Sequence, residues 1–68
     1  MRVKYKRKEI FRIKAILKGM SLAQLSRAIG KQRFYMNTSL RTGYVSPGAA
    51  KKICEVLDEN FDSLFQIE

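Results

Sequence analysis

Apolar residues recur along this chain at spacings of three and four, which is the pattern of amphipathic helices. Leu22, Leu25 and Ile29 form one such stripe directly after Ser21, a residue type that caps helix N-termini. Gly30 follows where a residue beyond a helix end commonly takes a positive φ angle, which glycine adopts without steric cost. The pattern therefore predicts a helix that Ser21 caps and that Gly30 ends.

A second helical pattern follows and places Tyr35, Met36 and Leu40 on one side, which we expect to be buried. Polar residues with outward hydrogen-bonding capacity lie at its start and between these positions: Gln32, Arg33, Asn37, Thr38 and Arg41. A helix, a glycine turn and a second helix with a polar outer face are the outline of a helix-turn-helix unit.

The segment before this unit shows another helical pattern, from Glu9 to Lys18, with an apolar stripe that we expect to face the core. The stripe comprises Ile10, Ile13 and Leu17, with Ile16 and Met20 at its margin. Phe11 lies off the stripe, and we expect it to pack on the last helix. Gly19 then ends this predicted helix as Gly30 ends the next.

After the unit, Ser46 and Pro47 mark a fourth helix, because serine is a good N-cap and proline is favoured at the first helical position. Its predicted core residues are Ala50, Ile53 and Leu57, beside Val56, with Cys54 as a small core hydrophobe. We expect Asn60 to cap a fifth helix from Phe61 to Ile67. The Tyr44–Val45 pair is too short to count as a strand, so the pattern predicts helices only.

Charge is the strongest signal in the composition: 14 Lys and Arg against six Asp and Glu give a net charge of +8. Residues 1–33 hold eleven basic residues and one acidic residue, Glu9, whereas residues 34–68 hold three basic and five acidic residues. The two balances, +10 and −2, add up to +8. A basic half joined to a mildly acidic half favours nucleic acid as the partner, ahead of an anionic membrane surface.

The remaining composition argues against other classes of protein. The 68 residues predict one small domain, and they include no histidine and a single cysteine. A lone cysteine forms no internal disulfide, which fits a reducing compartment such as the cytoplasm. No apolar run approaches the roughly 18 residues of a membrane span, and the charged N-terminus is not followed by the apolar run of a secretory signal, so we expect neither. No nucleophile–base pair, phosphate loop or metal cluster can be assembled, so we expect neither an enzyme nor a cofactor.

The charge distribution divides the chain into a basic arm, residues 1–8, and a domain, residues 9–68. The arm carries five Lys or Arg in eight residues, and like charges keep such a segment extended until a counter-charge arrives. The candidates for contacts along phosphates or in a minor groove are Lys4, Lys6, Arg7 and Lys8. An ordinary solvated tail is the alternative.

Taken together, Met20–Gly30 (MSLAQLSRAIG), the polar-faced second helix and the segment GYVSPGAAKKICEVLDENFDSLF resemble the phage repressor and Cro family of helix-turn-helix domains. The resemblance covers roughly residues 10–66. The matching positions are Ser21, Leu25, Ile29, Gly30, Met36, Ser46, Pro47 and the closing segment 61–65. The resemblance implies a five-helix, all-α domain that binds duplex DNA, usually as a two-fold dimer, and regulates transcription.

The chain departs from the family pattern in and around the second helix of the unit. The family usually has Ala where Ser26 stands, at the close approach of the two helices, and serine is small enough to keep that packing. A second buried aliphatic residue is expected three positions after Met36, where this chain has Ser39. The glycines that bracket this helix are one residue further apart than usual, so we expect the helix to be longer or rotated.

Under this interpretation, the second helix of the unit enters the major groove with its N-terminus first. Arg pairs with guanine, Asn or Gln pairs with adenine, and an apolar ring meets the thymine methyl. The candidates for base readout are Gln32, Arg33, Phe34, Asn37, Thr38 and Arg41. Arg33 and Asn37, four residues apart, are expected to share one helix face. The candidates for phosphate contacts are the backbone amides near Ser21 and Leu22 and the side chains of Arg27 and Lys31.

The main hypothesis is thus a sequence-specific regulator of phage or mobile-element type in the bacterial cytoplasm or nucleoid. A protein-interaction module that antagonises a repressor would be favoured if four aromatic residues cluster at the surface: Phe11, Phe34, Tyr44 and Phe65. RNA binding would need aromatic platforms for unpaired bases. The apolar residues of the last segment either close the core or form a dimer surface: Phe61, Leu64, Phe65 and Ile67.

Overall fold

A computed structural model describes residues 2–68, which form five helices and a three-stranded antiparallel sheet. In chain order the elements are β1 (Val3–Tyr5), α1 (Lys8–Leu17), α2 (Leu22–Ala28), α3 (Tyr35–Thr42), β2 (Tyr44–Val45), α4 (Pro47–Leu57), α5 (Phe61–Leu64) and β3 (Phe65–Ile67). The strand order is β2-β1-β3. The all-α prediction is therefore wrong: the fold is rich in helix, but three short segments pair as strands.

β1 is the central strand and brings the N-terminal segment into the core. It hydrogen-bonds to β2 on one side and to β3 on the other. Val3 and Tyr5 are buried, whereas Lys4 between them lies on the opposite face, which is the alternation of a half-buried strand. The expected arm of residues 1–8 is thus part of the fold at Val3 and Tyr5, and Met1 lies outside the described residues.

α1 turns a different face to the core from the one that its sequence predicts. Phe11 and Ala15 are buried, and the Phe11 ring packs edge-on against Tyr5 with ring centroids 5.0 Å apart. Phe11 also meets Phe65, the first residue of β3, at 6.2 Å. Because the sheet offers these two rings, Phe11 takes the inward position, and three residues of the predicted stripe turn to solvent. The other two, Ile10 and Met20, are half-buried, and Met20 packs against the core. The exposed residues, which we call the α1 apolar strip, are Ile13 (54% exposed), Ile16 (71%) and Leu17 (76%).

α2 follows the sequence prediction closely. The Ser21 hydroxyl accepts a hydrogen bond from the Gln24 N–H at 3.1 Å, and the Gln24 side chain accepts one from the Ser21 N–H at 2.8 Å. This reciprocal pair is a capping box, which satisfies two backbone donors at the helix start. Leu25 and Ile29 are buried, and Gly30 has a φ of +78°, so the predicted helix end and core residues are confirmed.

α3 packs on α2 and is held there by a buried serine. The Ser26 hydroxyl accepts a hydrogen bond from the Met36 N–H at 3.0 Å and donates one to the Leu22 carbonyl oxygen at 2.8 Å. Met36 and Leu40 are buried as predicted. Ser26 therefore does more than fit a close helix approach, because it satisfies a backbone donor at the start of α3, where helices have no donor partners of their own.

The C-terminal third combines a predicted helix with an unpredicted strand. Ser46 caps α4 by accepting from the Ala49 N–H at 3.3 Å, and Pro47 is the first helical residue, as expected. The predicted core residues Ala50, Ile53 and Leu57 are buried. Cys54 is half-buried, and desolvation by burial raises the pKa of its thiol above the ordinary value.

The fifth predicted helix is shorter than its apolar pattern suggests. α5 ends at Leu64, and the next three residues form β3, so the helical prediction is wrong beyond Leu64. Asn60 occupies the cap position without a side-chain cap hydrogen bond. Leu64 and Phe65 are buried at 1% and 0% exposure, whereas Ile67 is 59% exposed. The segment thus closes the core, and its two most buried members are not available to a dimer surface.

Candidate nucleic-acid interface

Several of the predicted DNA-contacting residues meet around one depression at the start of α3. Its volume is about 590 Å³. It is lined by Lys31, Gln32, Arg33, Phe34, Tyr35 and Thr38. Four of these belong to the segment between α2 and α3, so the depression lies where the polypeptide leaves Gly30 and enters α3. Five of the six were predicted to touch bases or phosphates, and the structure brings these five together.

The connection before α3 is longer than the sequence predicts. Arg33 and Phe34 form a turn, in which the Tyr35 N–H donates to the Gln32 carbonyl oxygen at 3.0 Å. Phe34 is the N-cap residue, and the Thr38 N–H donates to its carbonyl oxygen at 3.1 Å. Arg33 therefore lies outside α3, and the expectation that it shares one helix face with Asn37 is wrong.

The outer face of α3 is centred on Thr38 and Arg41. A helix turns by about 100° per residue, so these two positions point away from the buried side formed by Met36 and Leu40. Asn37 is exposed on the shoulder of this face. Among the predicted readers within α3, Thr38 and Arg41 thus point most directly away from the core.

Two basic side chains at the depression lie over aromatic rings. Lys31 Nζ is 5.3 Å from the centroid of the Tyr35 ring, and Arg33 Cζ is 5.3 Å from the centroid of Phe34, which is 65% exposed. A cation over a ring face is held electrostatically while its N–H donors stay available to a ligand. These interactions give the long side chains of Lys31 and Arg33 a preferred position beside α3.

The basic residues at the N-terminal end have different surroundings. Lys6 is tied to the start of α5, because its ammonium donates to the Asp62 carbonyl oxygen at 2.6 Å. Arg7 is exposed, with Nε 3.9 Å from a carboxylate oxygen of Glu9. Lys8 is exposed and passes near the end of α3: a Cβ atom at Gly43 would lie 4.0 Å from Lys8 Cε. Lys4 is the strand partner of Tyr44, the second residue after the end of α3. Lys6 and Arg7 thus have partners of their own, whereas Lys4 and Lys8 lie near the end of α3.

The predicted phosphate site at the start of α2 lies apart from this depression. Ser21 and Leu22 line another one, of about 200 Å³, together with Arg12, Ile16 and Met20. The Ser21 N–H already donates to the Gln24 side chain at 2.8 Å, so this amide is paired within the capping box. Arg27 is exposed in the last turn of α2. Ser21 and Leu22 thus line a different depression from the residues at the start of α3.

A buried hydroxyl network fixes α3 against the sheet. Ser39 Oγ donates to the Tyr44 carbonyl oxygen at 2.6 Å and lies 2.7 Å from the Tyr5 hydroxyl. Because the single Ser39 hydrogen goes to Tyr44, the Tyr5 hydroxyl is the donor to Ser39. Burial raises the pKa of Tyr5 to about 12, so this donor stays protonated near neutral pH. Ser39 therefore links α3 to both β1 and β2. It occupies the position at which the repressor and Cro pattern has a buried aliphatic residue.

Two residues beside α3 were not anticipated from the sequence. Arg2 and Tyr44 line a second depression, of about 380 Å³, whose other walls include Tyr35, Thr38 and Thr42. Tyr35 and Thr38 line both depressions, so the two are adjacent at α3. One sequence signal indicates a strand at this position. Basic and apolar residues alternate from Arg2 to Lys6, and this period of two places Arg2 and Lys4 on the same face of a sheet.

Lys52 is a further basic residue near the α2–α3 connection. A Cβ atom at Gly30 would lie 3.8 Å from Lys52 Nζ, so this side chain of α4 reaches the turn that precedes Lys31. Nothing in the helical pattern of α4 distinguishes Lys52 from Lys51, and only the packing of α4 against α2 reveals its position.

Known proteins add few constraints on the use of this surface. The chain matches no protein-family model, no curated protein and no solved structure. Within residues 2–68, no three His, Cys, Asp or Glu side chains are grouped so that they could hold a metal ion. None of the described helices is long and apolar enough to cross a membrane.

Proposed function

We propose that this protein is a small sequence-specific duplex-DNA-binding protein of the repressor and Cro type. In this proposal it regulates transcription for a phage or mobile element, in the bacterial cytoplasm or nucleoid, and has no catalytic role. The observation that supports it best is the depression at the start of α3, where Lys31, Gln32, Arg33 and Thr38 meet. Basic and amide side chains grouped beside one exposed helix face are suited to phosphates and base edges together.

The proposed binding mode places α3 in the major groove. The α2–α3 connection would approach first, so that Gln32 and Arg33 meet base edges while Lys31 meets a phosphate. Thr38 and Arg41 would follow along the groove, because they form the centre of the outer face of α3. The buried hydrogen bonds of Ser26 and Ser39 would hold α3 rigidly at this angle, and a rigid element presents its side chains with little entropic loss.

The test measures the association constant K for a fluorescently labelled 20-base-pair duplex at several salt concentrations. Protein is titrated into the duplex, and fluorescence anisotropy reports the bound fraction. The double variant Lys31→Gln/Arg33→Gln is compared with Lys14→Gln/Lys18→Gln, which removes the same charge from the C-terminal end of α1 and its C-cap residue. We expect the first pair to flatten the slope of log K against log salt by about 0.9 for each phosphate that is no longer neutralised, and the second to change it little. Equal changes in both variants would indicate unspecific attraction to the net charge and would contradict the proposal.

A second candidate function, binding to another protein, is favoured by the α1 apolar strip. Ile13, Ile16 and Leu17 are all more than half exposed on one side of α1, and contiguous exposed aliphatic side chains commonly mark an interaction surface. The surface cluster of aromatic residues that would favour this function does not form, because Phe11 and Phe65 are buried. Replacing Ile16 and Leu17 by Gln distinguishes the two functions, since duplex binding through α3 should be unchanged. Loss of DNA binding in that variant would favour α1 over α3 as the interface.

A further inference from the structure

The outer face of the sheet carries a cluster of three side chains, Arg2, Tyr44 and Glu68. Arg2 Cζ lies 4.2 Å from the centroid of the Tyr44 ring. The Tyr44 hydroxyl donates to the Glu68 carboxylate, at 2.9 Å from one oxygen and 3.2 Å from the other. Backbone hydrogen bonds between Arg2 and Glu68, at 2.7 and 3.5 Å, keep the two chain segments side by side. The three side chains are therefore positioned by strand pairing as well as by each other.

This cluster borders the surface that we assign to DNA. Arg2 and Tyr44 line the depression of about 380 Å³ that also includes Thr38 and Thr42 of α3. Thr38 in turn lines the depression formed by the α2–α3 connection. A duplex docked on the outer face of α3 would therefore extend over Arg2 on the side of the sheet.

We propose that Arg2, stacked on Tyr44, contacts a DNA phosphate beside the groove that α3 enters, and that Glu68 weakens this interaction. The proposal rests on the proposed function and extends its interface from α3 to the sheet. A guanidinium stacked on a ring keeps its in-plane N–H donors free, and these donors fit two phosphate oxygens at once. Because the ring already restricts the side chain, less conformational entropy is lost when DNA binds.

Glu68 has two opposing effects in this arrangement. Its carboxylate accepts the Tyr44 hydroxyl, which orients the ring under Arg2. The same hydrogen bond raises the pKa of Tyr44, so the hydroxyl remains a neutral donor. The negative charge, however, lies beside the position proposed for a phosphate and repels it. Removing the charge while keeping an acceptor oxygen, as in Glu68→Gln, should therefore strengthen DNA binding.

The experiment measures dissociation constants for one 20-base-pair duplex, chosen from a random pool by the wild-type protein, as a function of salt. Arg2→Gln should weaken binding about tenfold, as expected for the loss of a charged hydrogen bond, and reduce the salt slope by about 0.9. Glu68→Gln should strengthen binding about two- to fivefold. Arg2→Lys keeps the charge but loses the planar stack, and should fall between wild type and Arg2→Gln.

Lys14→Gln is the matched control, because it also removes one positive charge, on a helix outside the proposed interface. The ammonium of Lys14 lies 3.3 Å from a carboxylate oxygen of Glu59. The inference would be overturned if Arg2→Gln bound the duplex as tightly as Lys14→Gln does. It would also be overturned if Glu68→Gln bound the duplex no more tightly than the wild type. A change of base preference in Arg2→Gln would overturn the assignment to phosphate. Failure of the wild type to bind any duplex would instead reject the proposed function. Circular dichroism checks that each variant is folded, which we expect because Arg2 and Glu68 are exposed.

Discussion

Replacing Ser26 by Ala tests how α3 is held against α2. Ser26 is fully buried, and its hydroxyl accepts the Met36 N–H at 3.0 Å. Met36 is also buried, and the first N–H groups of a helix have no intrahelical acceptor. Without the hydroxyl this donor is left unsatisfied, which costs about 1–3 kcal/mol. The Leu22 carbonyl oxygen loses only a second partner, because the α2 helix supplies a backbone donor at this position.

Helix propensity opposes this loss, since Ala is favoured over Ser inside a helix by about 0.5 kcal/mol. We therefore expect Ser26→Ala to lower the free energy of unfolding by roughly 1–2 kcal/mol, net of these effects. A domain of this size loses about 4–8 °C in melting temperature per kcal/mol. The repressor and Cro family, which the sequence resembles, usually has Ala at this position. We therefore predict that the residue common in that family destabilises this chain.

Urea denaturation followed by circular dichroism gives the change in free energy, with Ser63→Ala, at an exposed position of α5, as the matched control. Hydrogen exchange adds a local measurement, because the Met36 amide should exchange faster in Ser26→Ala than in wild type. A change within about 0.5 kcal/mol of the control, together with unchanged exchange at Met36, would refute the reasoning.

Three further predictions address the core and the sheet. Leu25→Ala should cost about 2–5 kcal/mol of unfolding free energy in thermal or urea denaturation, because Leu25 is fully buried at the centre of the α2 stripe. Phe11→Ala should cost about 3–5 kcal/mol and Ile16→Gln less than about 0.5, and the reverse order would contradict the observed orientation of α1. Burial raises the pKa of Tyr5 to about 12 in the folded state, whereas unfolded chains deprotonate tyrosine near 10, so stability should fall as pH rises through this window. Urea denaturation at pH 9 and 11 should show a smaller decrease for Tyr5→Phe than for wild type, and equal decreases would refute this linkage.

The helices of this fold were predictable where one local signal fixed an end and a periodic stripe fixed a face. Ser21 and Gly30 bracket α2, and Ser46 with Pro47 opens α4, because caps and turn residues act over three or four positions of the chain. α1 shows the limit of this reasoning, since Ile13 and Leu17 satisfy a helical stripe and are nevertheless exposed.

The sheet could not be predicted by the same means. Each strand has only two or three residues, which is too short for alternation to stand out from chance. β1 is stabilised by partners that lie far away in the sequence. The alternation of basic and apolar residues in this segment is too short by itself to separate a strand from a charged tail. The Phe11 ring packs against Tyr5 of β1 and Phe65 of β3, so the wrong prediction for α1 follows from the missed sheet.

The sequence named most residues of the candidate site, but it predicted their arrangement in space only partly. The basic and amide residues around the start of α3 do meet, because a glycine turn followed by a helix brings them together. Their grouping by helical spacing failed at Arg33, since a turn precedes α3. Arg2 and Tyr44 depend on the sheet, so no helical pattern could reveal them. Deleting the whole basic arm, which the charge pattern suggests as a test, is also unsuitable, because it removes Val3 and Tyr5 from the core.

The central claim, that the outer face at α3 reads DNA sequence, is tested most directly by selecting bound duplexes from a random pool. The wild type should enrich one motif, and a two-fold motif would also indicate a dimer on DNA. Arg33→Ala and Thr38→Ala, confirmed as folded, should each relax the preference at a different position and weaken binding to the motif by about 1–3 kcal/mol. Lys31→Ala should weaken all duplexes nearly evenly, because a phosphate contact carries no base information. The account would be contradicted if the wild type enriched no motif. It would also be contradicted if Arg33→Ala and Thr38→Ala both enriched the wild-type motif with unchanged base preference.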